Sequence, residues 1–74
     1  MIKLPTVSGT RLVSILETIG YQSVRQKGSH IRLTHPTRRP ISVPKHKEVG
    51  RDLLRKILRD ADVSVAEFQQ LNDE

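Results

Sequence analysis

The sequence contains no cysteine and no tryptophan, one tyrosine and one phenylalanine. Without cysteine there is no disulfide staple and no thiolate metal site. With so few aromatics the core has to be aliphatic, and at 74 residues and 35% apolar content it has to be small. No apolar run approaches the ~20 residues that a membrane span requires. Met1-Ile2-Lys3-Leu4-Pro5 is too short to act as a signal peptide. The expectation is one domain, residues 1–74, that is soluble, cytoplasmic and out of contact with membranes. The most informative absence is local. Between Thr18 and Lys47 there is no aspartate or glutamate, so that stretch offers none of the carboxylate oxygens that hard cations need. A metal-free, cofactor-free site is expected there.

Positive charge fills the same span. Arg25, Lys27, Arg32, Arg38, Arg39, Lys45 and Lys47 all lie within it, and the chain carries a formal charge of +5. A segment of one sign is the electrostatic footprint of a polyanion partner, and in a soluble protein nucleic acid is the first candidate. A solvated basic surface is the plainer alternative.

The centre of the span is Lys27-Gly28-Ser29-His30. Tyr21 to Lys27 and His30 to Thr34 both have strand composition, and a two-residue Gly-Ser link suits a type II′ hairpin, whose first central residue needs positive φ. This turn sets Lys27 opposite His30, Gln26 opposite Ile31, Arg25 opposite Arg32 and Val24 opposite Leu33. Alternation then directs Val24, Ile31 and Leu33 to the core and gathers Lys27, His30, Arg25 and Arg32 on the other face. Like charges placed directly across a strand pair destabilise it. Arg25 opposite Arg32 therefore implies an anion between them.

The flanking elements follow from periodicity. Ser8 is a fitting N-cap for a helix whose stripe is Leu12, Ile15, Leu16 and Ile19, and Gly20 fits its left-handed end. His35 to Pro40 reads as a loop and Ile41-Ser42-Val43 as a third strand, while Lys45 to Gly50 reads as a connection. A second helix carries Leu53, Leu54, Ile57, Leu58 and Ala61, with Gly50 or Asp52 as its cap. Ser64-Val65-Ala66-Glu67 has the form of a capping box that opens a short extra helix with Phe68 and Leu71 inward, fraying from Gln69 on. The fold class is therefore α+β in the order α-β-β-β-α, a three-stranded antiparallel sheet with two helices packed on one face.

Val7-Ser8-Gly9, Leu16-Glu17 through Gly20-Tyr21, Val24-Arg25-Gln26-Lys27-Gly28-Ser29-His30, His35-Pro36, Val43-Pro44-Lys45-His46 and Ile57-Leu58-Arg59-Asp60-Ala61 through Phe68 together resemble the HicA toxin family. Arg25 to His30 is the specific part of the match. The resemblance implies a dsRBD-like fold, that is, one similar to the double-stranded-RNA-binding domain. It also implies mRNA interferase activity and a HicB-like antitoxin that covers the active site, and it maps the family's catalytic histidine onto His30.

The residues themselves permit that chemistry. RNA supplies its own nucleophile, the 2′-hydroxyl. Histidine is suited to act as general base near neutral pH, and neighbouring cations favour the neutral ring that accepts a proton. Lys27, Arg25 and Arg32 can neutralise a scissile phosphate, with arginine able to grip two oxygens at once. Gly28 serves the turn, and Ser29 either shares that role or contacts phosphate. Alternation from the inward Ile41 and Val43 puts Ser42 and His46 on the His30 side, so His46 is either a general acid, a phosphate contact or a plain loop residue. Arg38, Arg39 and Lys45 are expected to track the RNA backbone, whereas His35, beside Pro36, reads as structural. The ridge Arg51, Arg55, Lys56 and Arg59 reads as a solvated helix face or as a dock for an acidic protein. Two other functions remain open at this level, a non-catalytic double-stranded-RNA-binding module and a small domain that binds an acidic protein.

Overall fold

A computed structural model describes residue 4 and residues 6–73. The elements are α1 (Gly9–Glu17), β1 (Gln22–Lys27), β2 (His30–Thr34), β3 (Ile41–Pro44), α2 (Arg51–Asp60) and α3 (Val65–Asn72). The strands form one antiparallel sheet in the order β1-β2-β3. Ile31 and Leu33 from β2 and Ile41 and Val43 from β3 turn to one face, where the buried stripes of α1 (Leu12, Ile15, Leu16) and α2 (Leu54, Ile57, Leu58) cover them. This is the α-β-β-β-α layout expected from the pattern, with α3 added. The opposite face of the sheet is bare of helices. No described helix is long and apolar enough to cross a membrane.

The helix ends follow local chemistry. Ser8 Oγ accepts from the Arg11 N–H (3.1 Å) and Ser64 Oγ from the Glu67 N–H (3.1 Å), each satisfying an amide that the helix leaves unpaired. Of the two candidate caps for α2, Gly50 takes the position. α1 unwinds through Thr18 and Ile19 to Gly20 at φ +107°, and the Tyr21 N–H returns to the Leu16 carbonyl (3.2 Å). A side chain at residue 20 would be strained twice over, because a Cβ there would also lie 2.9 Å from His35 Nε2.

Four expectations need correction. Val24 is 56% exposed, not buried, because β1 carries a bulge between Ser23 and Arg25. Leu33 therefore pairs with Ser23, and Val24 is the extra residue. Tyr21 supplies the apolar bulk at that end of the sheet. Its ring is buried, its hydroxyl donates to the Arg39 carbonyl (2.8 Å), and burial pushes the phenol's pKa up against the opposing pull of Arg38.

The expected N-terminal arm, Met1 to Val7, lies partly outside the described residues. Its described part belongs to the core, with Leu4 and Val7 buried and Val7 bridging to Val49. Arg51 donates to the Leu4 carbonyl (2.9 Å) and holds the arm in place. The chain does not fray at Gln69, since α3 continues to Asn72. The Arg11 guanidinium anchors that end, donating to the Asn72 carbonyl (2.9 Å) and side-chain oxygen (3.3 Å). The expected fraying at Glu74 falls outside the described residues. Finally, Leu53 lies at the margin of the α2 stripe and is 39% exposed.

Candidate nucleic-acid interface and active site

Gly28 turns the hairpin at φ +59°, and Ser29 is not among the residues with positive φ, the combination that a type II′ turn requires. Lys27 stands opposite His30 and Arg25 opposite Arg32, the register the sequence implied. β3 extends the row, with Ser42 opposite Arg32 and the Arg32 guanidinium 3.4 Å from Ser42 Oγ. Directly opposed residues of an antiparallel pair have Cβ atoms about 5 Å apart. Five side chains (Arg25, Lys27, His30, Arg32 and Ser42) line one open depression of about 500 Å³ on the bare face of the sheet. All five are exposed, and none is a carboxylate.

The other expected site residues fall around this depression or away from it. Gly28 and Ser29 form its tip, and the Ser29 carbonyl accepts from the Lys45 N–H, which ties the end of β3 to the hairpin. His46 lies beyond the end of β3, so alternation no longer governs its direction. It is exposed, its carbonyl accepts from the Gly9 N–H (2.9 Å), and it does not line the depression. Arg38 and Arg39 line a separate hollow with Arg59, Asp60 and Asp62. The Arg38 guanidinium there donates to the carbonyls of Ala61 (2.8 Å) and Asp62 (3.2 Å) at the end of α2.

His35 follows directly after the end of β2 and lies against Gly20 and Tyr21. Its Nε2–H donates to the Ile19 carbonyl (2.9 Å), and its Nδ1 accepts from the N–H groups of Thr37 (3.1 Å) and Arg38 (3.2 Å). Three backbone partners and the Tyr21 ring at 4.8 Å make it a structural histidine. Among the described residues no group of three His, Cys, Asp or Glu side chains is close enough together to hold a metal ion. Ser42 lies on the His30 side of the sheet, as alternation from the inward Ile41 and Val43 implies. Its place opposite Arg32 follows once the β2–β3 register is known.

The opposed guanidiniums have a consequence for stability. Arg25→Thr removes the repulsion across from Arg32 and puts a strand-favouring residue at an exposed position, so it is expected to stabilise the fold by about 0.2–1 kcal/mol. In thermal melts the variant should unfold a few degrees above the parent. Added inorganic phosphate should narrow that gap, because the anion relieves the repulsion only where both cations are present. Equal melting of the two proteins in low salt would mean that the pair is already screened by solvent.

A search of curated proteins returns no match. The family model described as the HicA toxin of bacterial toxin–antitoxin systems matches residues 9–63, from the first turn of α1 past the end of α2. The match spans the hairpin and every residue that lines the depression, so the chain belongs to the HicA toxin family and is a toxin of a toxin–antitoxin system with a cognate antitoxin as its partner.

Proposed function

We propose that this toxin is a metal-independent endoribonuclease, an mRNA interferase, in which His30 acts as general base on the ribose 2′-hydroxyl. The observation that carries the reading is the exposed His30 ring set among Lys27, Arg25 and Arg32 in a single open depression. His30 takes the 2′-hydroxyl proton, and the 2′-oxygen attacks the adjacent phosphorus. Arg25 and Arg32, facing each other across the strand pair, clamp the phosphoryl oxygens as negative charge builds on them. Lys27, directly across from His30, is placed to give a proton to the departing 5′-oxygen. Carboxylates are absent from the lining, so the charge on phosphorus is met by side-chain cations. The free edge of the groove and its exposure suit it to be covered by a HicB-like antitoxin.

The products test the mechanism. RNA cut by the antitoxin-free toxin in the presence of a chelator should carry 2′,3′-cyclic phosphate and 5′-hydroxyl ends. Fragments with 3′-hydroxyl ends would show that water or another external nucleophile attacks, and this mechanism would then be wrong.

A further inference from the structure

A second depression, of about 250 Å³, adjoins the first and shares Arg32 and Ser42 with it as a common wall. It lies where the bare face of the sheet meets α2, over the free edge of β3. Its floor is apolar, made of Ile41 and Ile57, both buried, and of Pro40 and the half-exposed Leu53. Lys56 stands on its rim one helical turn from Leu53, and Asp60 stands one turn further along. No hydrogen bond engages the Asp60 carboxylate among the described residues, although the group is half-buried. His30 and Arg32 are two residues apart on one strand, which puts the shared wall about 7 Å from the histidine.

We propose that this second depression is a nucleobase subsite for the nucleotide next to the scissile phosphate, and that Asp60 makes it select a base with an exocyclic amine. The proposal rests on the ribonuclease reading above. An apolar floor takes the face of a base, Lys56 and Arg32 take the flanking phosphates, and the carboxylate is a pure acceptor. Cytosine, adenine and guanine each present an amino group to such an acceptor, and in DNA readout carboxylates accept from the cytosine amine in this way. Uracil presents a carbonyl in the same place and is repelled. Asp60 is thus the discriminating group, and the exposed Leu53 is the surface on which the base rests.

The test measures kcat/KM for short single-stranded RNAs that differ only in the base flanking one cleavable bond. Cytosine should be favoured over uracil by about tenfold. Asp60→Asn, which adds a donor to the acceptor, should remove the preference, bringing kcat/KM for the cytosine and uracil substrates to within a few-fold of each other. Leu53→Ala should lower kcat/KM for all bases together. In parallel, cytidine and uridine monophosphates are titrated into the His30→Ala protein while the methyl resonances of Leu53 and Ile57 are followed. Saturable shifts, tighter for the cytidine nucleotide, are expected.

Cleavage that ignores the flanking base, or a preference that survives in Asp60→Asn, would overturn the subsite and leave the catalytic reading intact. If the native chain cuts no RNA, the ribonuclease reading fails, and the methyl titration then decides the subsite alone. Methyl shifts with the antitoxin and none with either nucleotide would assign the depression to the protein partner and overturn the proposal.

Discussion

His30→Ala is expected to reduce RNA cleavage by about 10²- to 10⁴-fold, the range that a positioned general base contributes, while leaving RNA affinity nearly unchanged. The reason lies in the division of labour across the hairpin. Binding to a polyanion is carried by cations, and Arg25, Lys27 and Arg32 are untouched by the substitution. The ring itself is exposed, and no hydrogen bond engages it among the described residues, so its removal should shift stability by less than about 0.5 kcal/mol. Cleavage of a defined mRNA, fluorescence anisotropy on the same RNA at several salt concentrations and a thermal melt together check the claim. The binding of native and variant proteins should weaken in parallel as salt rises. Expression of the native toxin without its antitoxin should inhibit growth, and expression of the variant should not. Cleavage at the native rate would end the assignment of His30, and equal loss of binding would show that the histidine holds RNA instead of acting on it.

The parts of this molecule that can be read from sequence are those governed by short-range rules. A two-residue Gly-Ser turn admits one pairing register near itself, so the opposition of Lys27 to His30 and of Arg25 to Arg32 follows without knowledge of the rest of the chain. The caps at Ser8 and Ser64 and the left-handed Gly20 are equally local. The rule fails at Val24, the next residue back along β1. Tyr21 and Val24 are three apart, so an uninterrupted strand cannot turn both inward. The bulge resolves the conflict for the larger side chain, a choice set by the space beneath the sheet and invisible to alternation. Leu53 fails for a related reason. It keeps helical spacing with Ile57, but the stripe is wider than the surface it covers, and its margin meets the free edge of β3. His46 was out of reach because a strand's alternation ends where the strand does, at Pro44. The burial of Leu4 and Val7 depends on a bridge to Val49, more than forty residues away, and no local pattern announces it.

Gly9→Ala is expected to destabilise the fold by about 3 kcal/mol or more, although helix propensity alone predicts a gain of roughly 1 kcal/mol. Gly9 opens α1 at the point where that helix meets the end of β3, and its N–H donates to the His46 carbonyl (2.9 Å). A Cβ there would lie 2.0 Å from the Pro44 carbonyl oxygen and 3.0–3.1 Å from Pro44 C and Lys45 Cα. These are backbone atoms, so no rotamer change relieves the overlap. The helix would have to lift, drawing Leu12, Ile15 and Leu16 away from the sheet and opening space in a close-packed core. A domain of this size has roughly 4–11 kcal/mol of stability in total, and such a loss should lower Tm by about 12–24 °C.

Gly50→Ala is the control. Gly50 also begins a helix, but a Cβ there meets nothing within 4 Å, and its effect should stay within about 1 kcal/mol. Unequal outcomes for the same chemical change would show that the close approach of α1 to β3, and not helix propensity, decides residue 9. Near-equal melting of the two variants would mean that α1 does not rest on Pro44 as described. The site feels the same contact. Pro44 and Lys45 hold the hairpin tip through the bond from the Lys45 N–H to the Ser29 carbonyl, so displacing them moves the residue before His30. Gly9→Ala should therefore lose activity at temperatures where it is still mostly folded, and by more than its folded fraction accounts for.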